Sequence, residues 1–396
     1  MHSLAEKIKE FTQSNLAQTI EIRRHLHAHP ELSFEEYETA KYVSAKLLEL
    51  GLEPQSIANT GLVAYIKGKN PEKKVVALRA DMDALPIIEQ NNVEYKSKNA
   101  GVMHACGHDV HTSSLLACAK ILIAFKDQFE GTVKLIFQPG EEKLPGGASI
   151  MIKEGVLKNP IPNNIVGQHV MPFIEVGKVG FRSGMYMASS DELFMTVKGK
   201  GGHGAMPEYN VDPITIVSTI IVAMQQIVSR CASPKIPTVL SFGKILGEGA
   251  TNVIPNEVKV EGTFRTMDED WRKEAHKKMK KMAEGIADSM GAECFFEVRN
   301  GYPFLKNEPK LAAELKSYAV EYMGADNVID LDLWMASEDF SYYSQEIDAN
   351  FYRLGTRNEA KGITSGIHTP TFDVDEHCLE IGPGLMAYLT LRQLGL

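Results

Sequence analysis

The 396-residue chain has no excess of positive charge, no grouped cysteines and no long apolar run. Its formal net charge is -9, which disfavours nucleic acid as a partner, because phosphate binding requires clustered Lys and Arg. The densest basic run, Lys277, Lys278, Lys280 and Lys281, shares a helical segment with Met279 and Met282 and reads as a solvated face. Five cysteines occur, Cys106, Cys118, Cys231, Cys294 and Cys378. They are odd in number, far apart and free of any C-x-x-C pair, which argues against a disulfide framework and for a reducing compartment. Residues 1–22 lack the apolar stretch of a signal peptide, so none is expected. No apolar run approaches the ~18 residues of a membrane span. The most apolar helical stretch, near 214–228, is interrupted by Ser218, Thr219, Gln225 and Gln226. The expectation is a cytoplasmic protein with no membrane partner. Solenoid-period repeats and low-complexity tracts are also missing.

What is present is a globular composition, with 44% hydrophobic and 23% charged residues, and a length that suits two or three domains. Ser33 followed by Glu36 reads as a capping box. Ala40, Val43, Leu47 and Leu50 then recur on one helical face, and Gly51 suits the stop. Residues 75–78 and 132–137 read as short buried strands around a helix over 111–125. Strands alternating with helices predict an α/β fold with a largely parallel sheet. Residues 189–298 read differently. Strands fit 192–198, 238–246, 257–266 and 293–298. One helix starts with Asp212 as N-cap and Pro213 at its first position, and another runs from 269 to about 290 before Gly291. The order β-α-β-β-α-β is ferredoxin-like.

The densest chemical signal is Met103-His104-Ala105-Cys106-Gly107-His108-Asp109-Val110-His111. Side chains two apart in a tight loop can converge on one ion, and thiolate with imidazole suits zinc and other first-row divalent metals. Gln138-Pro139-Gly140-Glu141-Glu142 follows a strand directly. Adjacent carboxylates outside a helix point different ways, so one can ligate a metal while the other faces its water; α/β folds place sites at such strand ends. Gly167-Gln168-His169-Val170 and Gly366-Ile367-His368-Thr369-Pro370 each add a histidine at a strand or loop edge. Cys106, His108, Glu142, His169 and His368 together suffice for two divalent ions sharing a bridging ligand. The other histidines have blander readings: His25, His27, His29 and His104 in packing or supporting bonds, His111 in starting its helix, and His2, His276 and His377 on the surface. Glu338-Asp339 reads as capping or support, and Met185, Met187, Met195 and Met206 as core.

These motifs, with Arg24-His25-Leu26-His27-Ala28-His29-Pro30-Glu31-Leu32, Leu78-Arg79-Ala80-Asp81-Met82-Asp83-Ala84-Leu85-Pro86, Gly201-Gly202-His203-Gly204-Ala205-Met206-Pro207 and Thr251-Asn252-Val253-Ile254-Pro255-Asn256, span nearly the whole chain. The sequence resembles the metal-dependent aminoacylase and carboxypeptidase family, in the branch of N-acyl-amino-acid amidohydrolases, hippurate hydrolases and auxin-conjugate hydrolases. The resemblance implies a phosphorylase/hydrolase-like, mostly parallel α/β catalytic domain over residues 1–186 and 300–396. A ferredoxin-like lid and dimerisation domain over 187–299 is inserted into it. It implies Cys106, His108, Glu142, His169 and His368 as ligands of two divalent ions (Zn, Mn, Co or Ni), and Glu141 as general base. It further implies His203 as an oxyanion donor, Asn252 and Arg265 as contacts to the substrate carboxylate, and a homodimer through the lid. One position departs: the wider family has a metal-binding histidine where this chain has Asp81. Asp81 is therefore left out of the ligand set, and Asp83 is read as a supporting residue.

The expected activity is hydrolysis of the amide bond of N-acyl-amino acids of N-acetyl or N-benzoyl type. A dipeptidase or carboxypeptidase of the same family is the alternative. A non-catalytic binding protein on the same scaffold is the alternative of another class, and an intact Glu141 argues against it.

Overall fold

A computed structural model of the chain describes residues 2–396; Met1, where the expected N-terminal segment begins, lies outside them. The chain divides into two compact units. One comprises Met1–Gly184, Lys306–Asp332 and Asp339–Leu396; the other comprises Met185–Leu305 and Leu333–Glu338.

The larger unit is built on an eight-stranded sheet in the order Gln55–Ile57, Gly61–Lys67, Thr132–Gln138, Val75–Asp81, Asn164–Glu175, Asp348–Arg357, Val179–Phe181, Val328–Asp330. The four central strands, from Thr132–Gln138 to Asp348–Arg357, run parallel. Two of them read as largely apolar runs because the sheet is covered by helices: Val75–Asp81 and Thr132–Gln138 are buried at every position. The helix His108–Ala124 packs on the sheet and against Leu4–Ala28 and Gly382–Gln393. Leu115, Leu122, Leu385 and Leu389 share one core with Leu78 and Leu135. This is the mostly parallel α/β layer that the alternation of elements predicts.

The local reading of Ser33 and Glu36 is corrected. The helix Tyr37–Glu49 has Glu36 at its N-cap with no side-chain capping bond. The Ser33 hydroxyl instead donates to Asp83 Oδ2 at 2.6 Å, and Glu36 accepts the Gly140 N–H at 2.7 Å and the Thr60 hydroxyl at 2.6 Å. Two polar side chains that look local are spent on partners dozens of residues away.

The inserted unit carries a four-stranded antiparallel sheet in the order Thr238–Leu246, Glu257–Thr266, Asp191–Lys198, Glu293–Asn300. Asp191–Lys198 alternates between buried and more exposed positions, as a strand with one covered face must. Two helices pack with it, Pro213–Gln226 and Glu269–Ser289. Asp212 caps the first through Ile214 N–H at 2.8 Å, and Lys277, Lys280 and Lys281 are exposed on the second. The first helix is longer than its polar interruptions suggest. With the π-turn Ile227–Cys231 it runs 19 residues, long and apolar enough by composition to cross a membrane. Ile216, Val217, Ile220, Met224 and Ile227 lie on one side and join the core of this unit, which is the behaviour of an amphipathic core helix. His276 is not a free surface residue: its Nε2 lies 2.8 Å from Asp191 Oδ2.

Candidate metal centre

The carboxyl ends of the parallel strands carry the chemical groups. Asp81 ends one strand and Asp83 follows it; Gln138 ends its neighbour and leads through Gly140 to Glu141 and Glu142; His169 lies within the next. Gly107 makes the turn between Cys106 and His108. It has φ +82°, and a Cβ there would stand 2.5 Å from Val170 Cγ2, so only glycine fits. His108 is then the first residue of its helix. His368, itself at φ +61°, donates its backbone N–H to Ala105 O at 2.7 Å, which ties its loop to the Cys106 turn.

The structure brings all five expected ligands together. Donor atoms of Cys106, His108 and His169 lie within 4.8 Å of one another, as do those of Cys106, Glu142 and His368, and those of His108, Glu141 and Glu142. Cys106 Sγ is 3.4 Å from His169 Nε2, and His368 Nε2 is 3.1 Å from Glu142 Oε1. The tautomers suit ligation. His108 donates Nδ1–H to the Asp83 carbonyl at 2.8 Å, and His169 donates Nδ1–H to the Val170 carbonyl at 2.7 Å. Nε2 is thereby the ring position open to a metal on both, the usual arrangement behind metal-binding histidines, and an ion would take the place of a proton there. His108 Nε2 is buried without a hydrogen-bond partner among the described residues, a costly state that an ion would relieve. Burial works to keep His108 neutral, but Asp81, Asp83 and Glu142 outweigh it and push its pKa up to about 10. Burial, with Glu142 and Glu141, pushes the Cys106 thiol well above its ordinary range. A thiolate in that anionic surround needs a neighbouring cation. The residues therefore fit divalent metal ions.

Behind them lies a supporting layer. Glu141 is buried, and its Oε1 accepts the Asp339 N–H at 3.3 Å. Asp339 in turn accepts from Arg79, Gln138 and the Ala148 N–H. Asp83 Oδ2 accepts the Glu142 N–H at 2.9 Å as well as the Ser33 hydroxyl, which is the supporting place expected for it. Asp81 accepts from Arg79 Nη1 and faces His111 Nδ1, each at 2.5 Å. His111 corrects its expected role in starting the helix. It is fully buried, and its Nε2 accepts the Val170 N–H at 2.9 Å. No local pattern signals this, because both partners are distant in sequence.

The N-terminal histidines divide. His27 is buried between Asp109 Oδ2 at 2.8 Å and Glu89 Oε1 at 3.2 Å, and Arg23 Nε reaches the same Asp109 oxygen at 2.8 Å. This network holds the first turn of the His108 helix against Leu4–Ala28. His104 is buried with neither ring nitrogen bonded among the described residues, and burial lowers its pKa to about 4. His2 and His377 are exposed.

Three further expected residues lie in the inserted unit. His203 is exposed on the two-residue strand Gly202–His203, paired with Val253–Ile254. Its Nδ1 accepts the Ala205 N–H at 3.1 Å, so the proton resides on Nε2 as a potential donor. Asn252 is exposed on the same ribbon, where its carbonyl accepts the Gly204 N–H at 2.8 Å. Arg265 is half-buried on Glu257–Thr266 and donates from Nη1 to Met335 O at 3.0 Å.

Residues 77–392 match the profile of peptidase family M20/M25/M40. The chain is 43% identical over 298 residues to an N-acyl-L-amino acid amidohydrolase of Geobacillus stearothermophilus, covering 75% of this chain and 80% of that protein. It is 38% identical to thermostable carboxypeptidase 2 of Saccharolobus solfataricus, over 98% of each chain. A solved Bacillus subtilis structure, described as a dinuclear metal binding peptidase from M20 family, is similar with a TM-score of 0.83 and 34% identity, over 96% of this chain and 99% of that one.

Proposed function

The chain belongs to peptidase family M20/M25/M40 and is a metal-dependent amidohydrolase, and from that premise we propose that it cleaves N-acyl-amino acids of N-acetyl or N-benzoyl type. The observation that carries this is the gathering of Cys106, His108, Glu142, His169 and His368 beside the buried Glu141. Cys106, His108 and His169 would hold one divalent ion and Cys106, Glu142 and His368 a second, with Cys106 common to both. A set of one thiol, three imidazoles and a carboxylate suits Zn, Mn, Co or Ni. When bound, the ions supply a water acidic enough to ionise near neutral pH and polarise the amide carbonyl.

The remaining work falls to the chain. Glu141, oriented by the Asp339 N–H, takes the proton of the attacking water and returns it to the leaving amine. His203 presents Nε2–H to the oxyanion that forms on the acyl carbon; a donor of that kind is worth ~10²–10³ in rate. Arg265, with Asn252, receives the amino-acid carboxylate through its fork of N–H groups. The inserted unit is proposed as a homodimer contact. Its edge strand Thr238–Leu246 exposes Ile245 and Leu246, and the helix Pro213–Gln226 exposes Val222, apolar groups suited to self-association. Free thiols at all five cysteines suit a cytoplasmic location.

The carboxypeptidase relative supports a second reading, in which the acyl group is itself an aminoacyl residue. A panel of N-acetyl- and N-benzoyl-amino acids beside dipeptides, assayed after chelation and after return of each metal, separates the two. Metal-restored cleavage of the acyl-amino acids is expected. Preference for dipeptides would move the activity to the second reading.

A further inference from the structure

Val170 stands between two histidines that do different things. Its carbonyl accepts Nδ1–H of His169 at 2.7 Å, which fixes that ring's tautomer and aims Nε2 at Cys106 Sγ, 3.4 Å away. Its N–H is donated to Nε2 of His111 at 2.9 Å. The second bond determines the state of His111: Nε2 is an acceptor and carries no proton, so the proton is on Nδ1, facing Asp81 Oδ1 at 2.5 Å. Asp81 is anchored by Arg79 at 2.5 Å, and its carbonyl accepts the Thr112 hydroxyl at 2.7 Å. The imidazole is 1% exposed and its centroid lies 4.5 Å from that of His169. His111 could be counted as a ligand, since it forms a close triad with Asp81 and His108, but both of its nitrogens are spent on protein partners.

We propose that His111 is a positioning residue: anchored on Asp81, it holds the Val170 backbone and through it the His169 Nε2 at the metal centre, while its own Nε2 is kept off the metal. The inference rests on the reading of His169 as a ligand. It gives a role to a buried histidine one helical turn beyond His108 that bonds only to protein partners. A supporting partner of a metal ligand is typically worth 10–100-fold in metal affinity.

The test is a Co²⁺ titration of the metal-free full chain, followed by calorimetry and by the visible absorption of bound cobalt. Wild type, H169A, H111L, H111Q and H111N are compared. H169A is expected to lose the ion that His169 holds. H111L is expected to bind that ion ~10–100-fold more weakly, with a shifted cobalt band. A glutamine oxygen can reach the Val170 N–H, so H111Q is expected to stay near wild type. An asparagine reaches only towards Asp81, so H111N is expected to behave like H111L. A folded H111L with wild-type affinity and spectrum would overturn the proposal. So would equal affinities of H111Q and H111N, a comparison that decides the matter even if H111L fails to fold. Wild-type cobalt binding by H169A would overturn the ligand reading itself, and this inference with it.

Discussion

Gly107 and Val170 are packed so closely that a single added carbon on Gly107 would stand 2.5 Å from Val170 Cγ2. The position also has φ +82°. G107A therefore combines backbone strain of about 1–3 kcal/mol with a push against the strand that carries His169. The expected outcome is a chain that still folds but holds less than its full metal complement, with activity reduced at least ~10²-fold by the misplaced ligands. Metal analysis beside thermal unfolding checks this; full metal content and near-normal turnover in G107A would contradict it.

Glu141 and Glu142 are neighbours with different surroundings, and their variants should separate. Glu141 is buried against the Asp339 N–H, whereas Glu142 Oε1 lies 3.1 Å from His368 Nε2. E141Q removes the base and is expected to lower kcat by ~10²–10⁴-fold, with metal content retained. E142Q is expected to lose bound metal. Metal loss in E141Q would assign Glu141 to the ligands instead.

How far these assignments were legible in the sequence depended on the range of the bonds involved. The inserted unit was readable because its signals are local. Asp212 caps the helix that starts one residue later, and Glu257–Thr266 keeps one face covered. The parallel sheet was readable from short, mainly apolar strands such as 132–137, buried at every position despite Lys134. Ser33, Glu36 and His111 were misread for the opposite reason. Their partners, Asp83, Gly140, Asp81 and Val170, lie 30 to 104 residues away. A local capping pattern at Ser33 and Glu36 outweighed anything the chain order could show of those contacts. Motifs named Cys106, His108, Glu142, His169 and His368, but the choice of tautomer at His108 and His169 is made by two backbone carbonyls that no motif encodes.

Chelation should act on stability as well as on activity. The buried His108 Nε2 lacks a hydrogen-bond partner among the described residues, so the metal-free protein retains an unmet polar group. Ions that bind the folded chain stabilise it by about 2.7 kcal/mol at a hundredfold excess over Kd. A lower Tm after chelation, restored by adding metal back, is expected. The restoration should be reduced in C106S, because Cys106 is common to two of the donor triads. An unchanged Tm on chelation would show that the ions contribute nothing to the fold.

The acid limit of the inserted unit should depend on Asp191. Its carboxylate accepts two bonds from Arg272, at 2.5 and 2.9 Å, with His276 at 2.8 Å and the Gly301 N–H at 3.2 Å. Burial alone would raise its pKa, but the bonds from Arg272 and His276 and the Arg272 charge outweigh burial and hold it below the usual 3.8. A depressed folded pKa means that the unfolded chain takes up the proton first. The stabilisation is therefore complete above the unfolded pKa of about 3.9 and is lost as pH falls through the lower folded value. D191N should cost about 3 kcal/mol at neutral pH, because it removes two of the bonds to the largely buried Arg272 and leaves the more exposed Glu269, 2.9 Å from Nη1, as its carboxylate partner. The gap to wild type should close only below about pH 4. Both tryptophans of the chain, Trp271 and Trp334, lie in this unit, so their fluorescence during urea unfolding reports on it directly. A gap between D191N and wild type that stays constant from pH 7 to pH 3 would show that packing, not the ion pair, accounts for the loss.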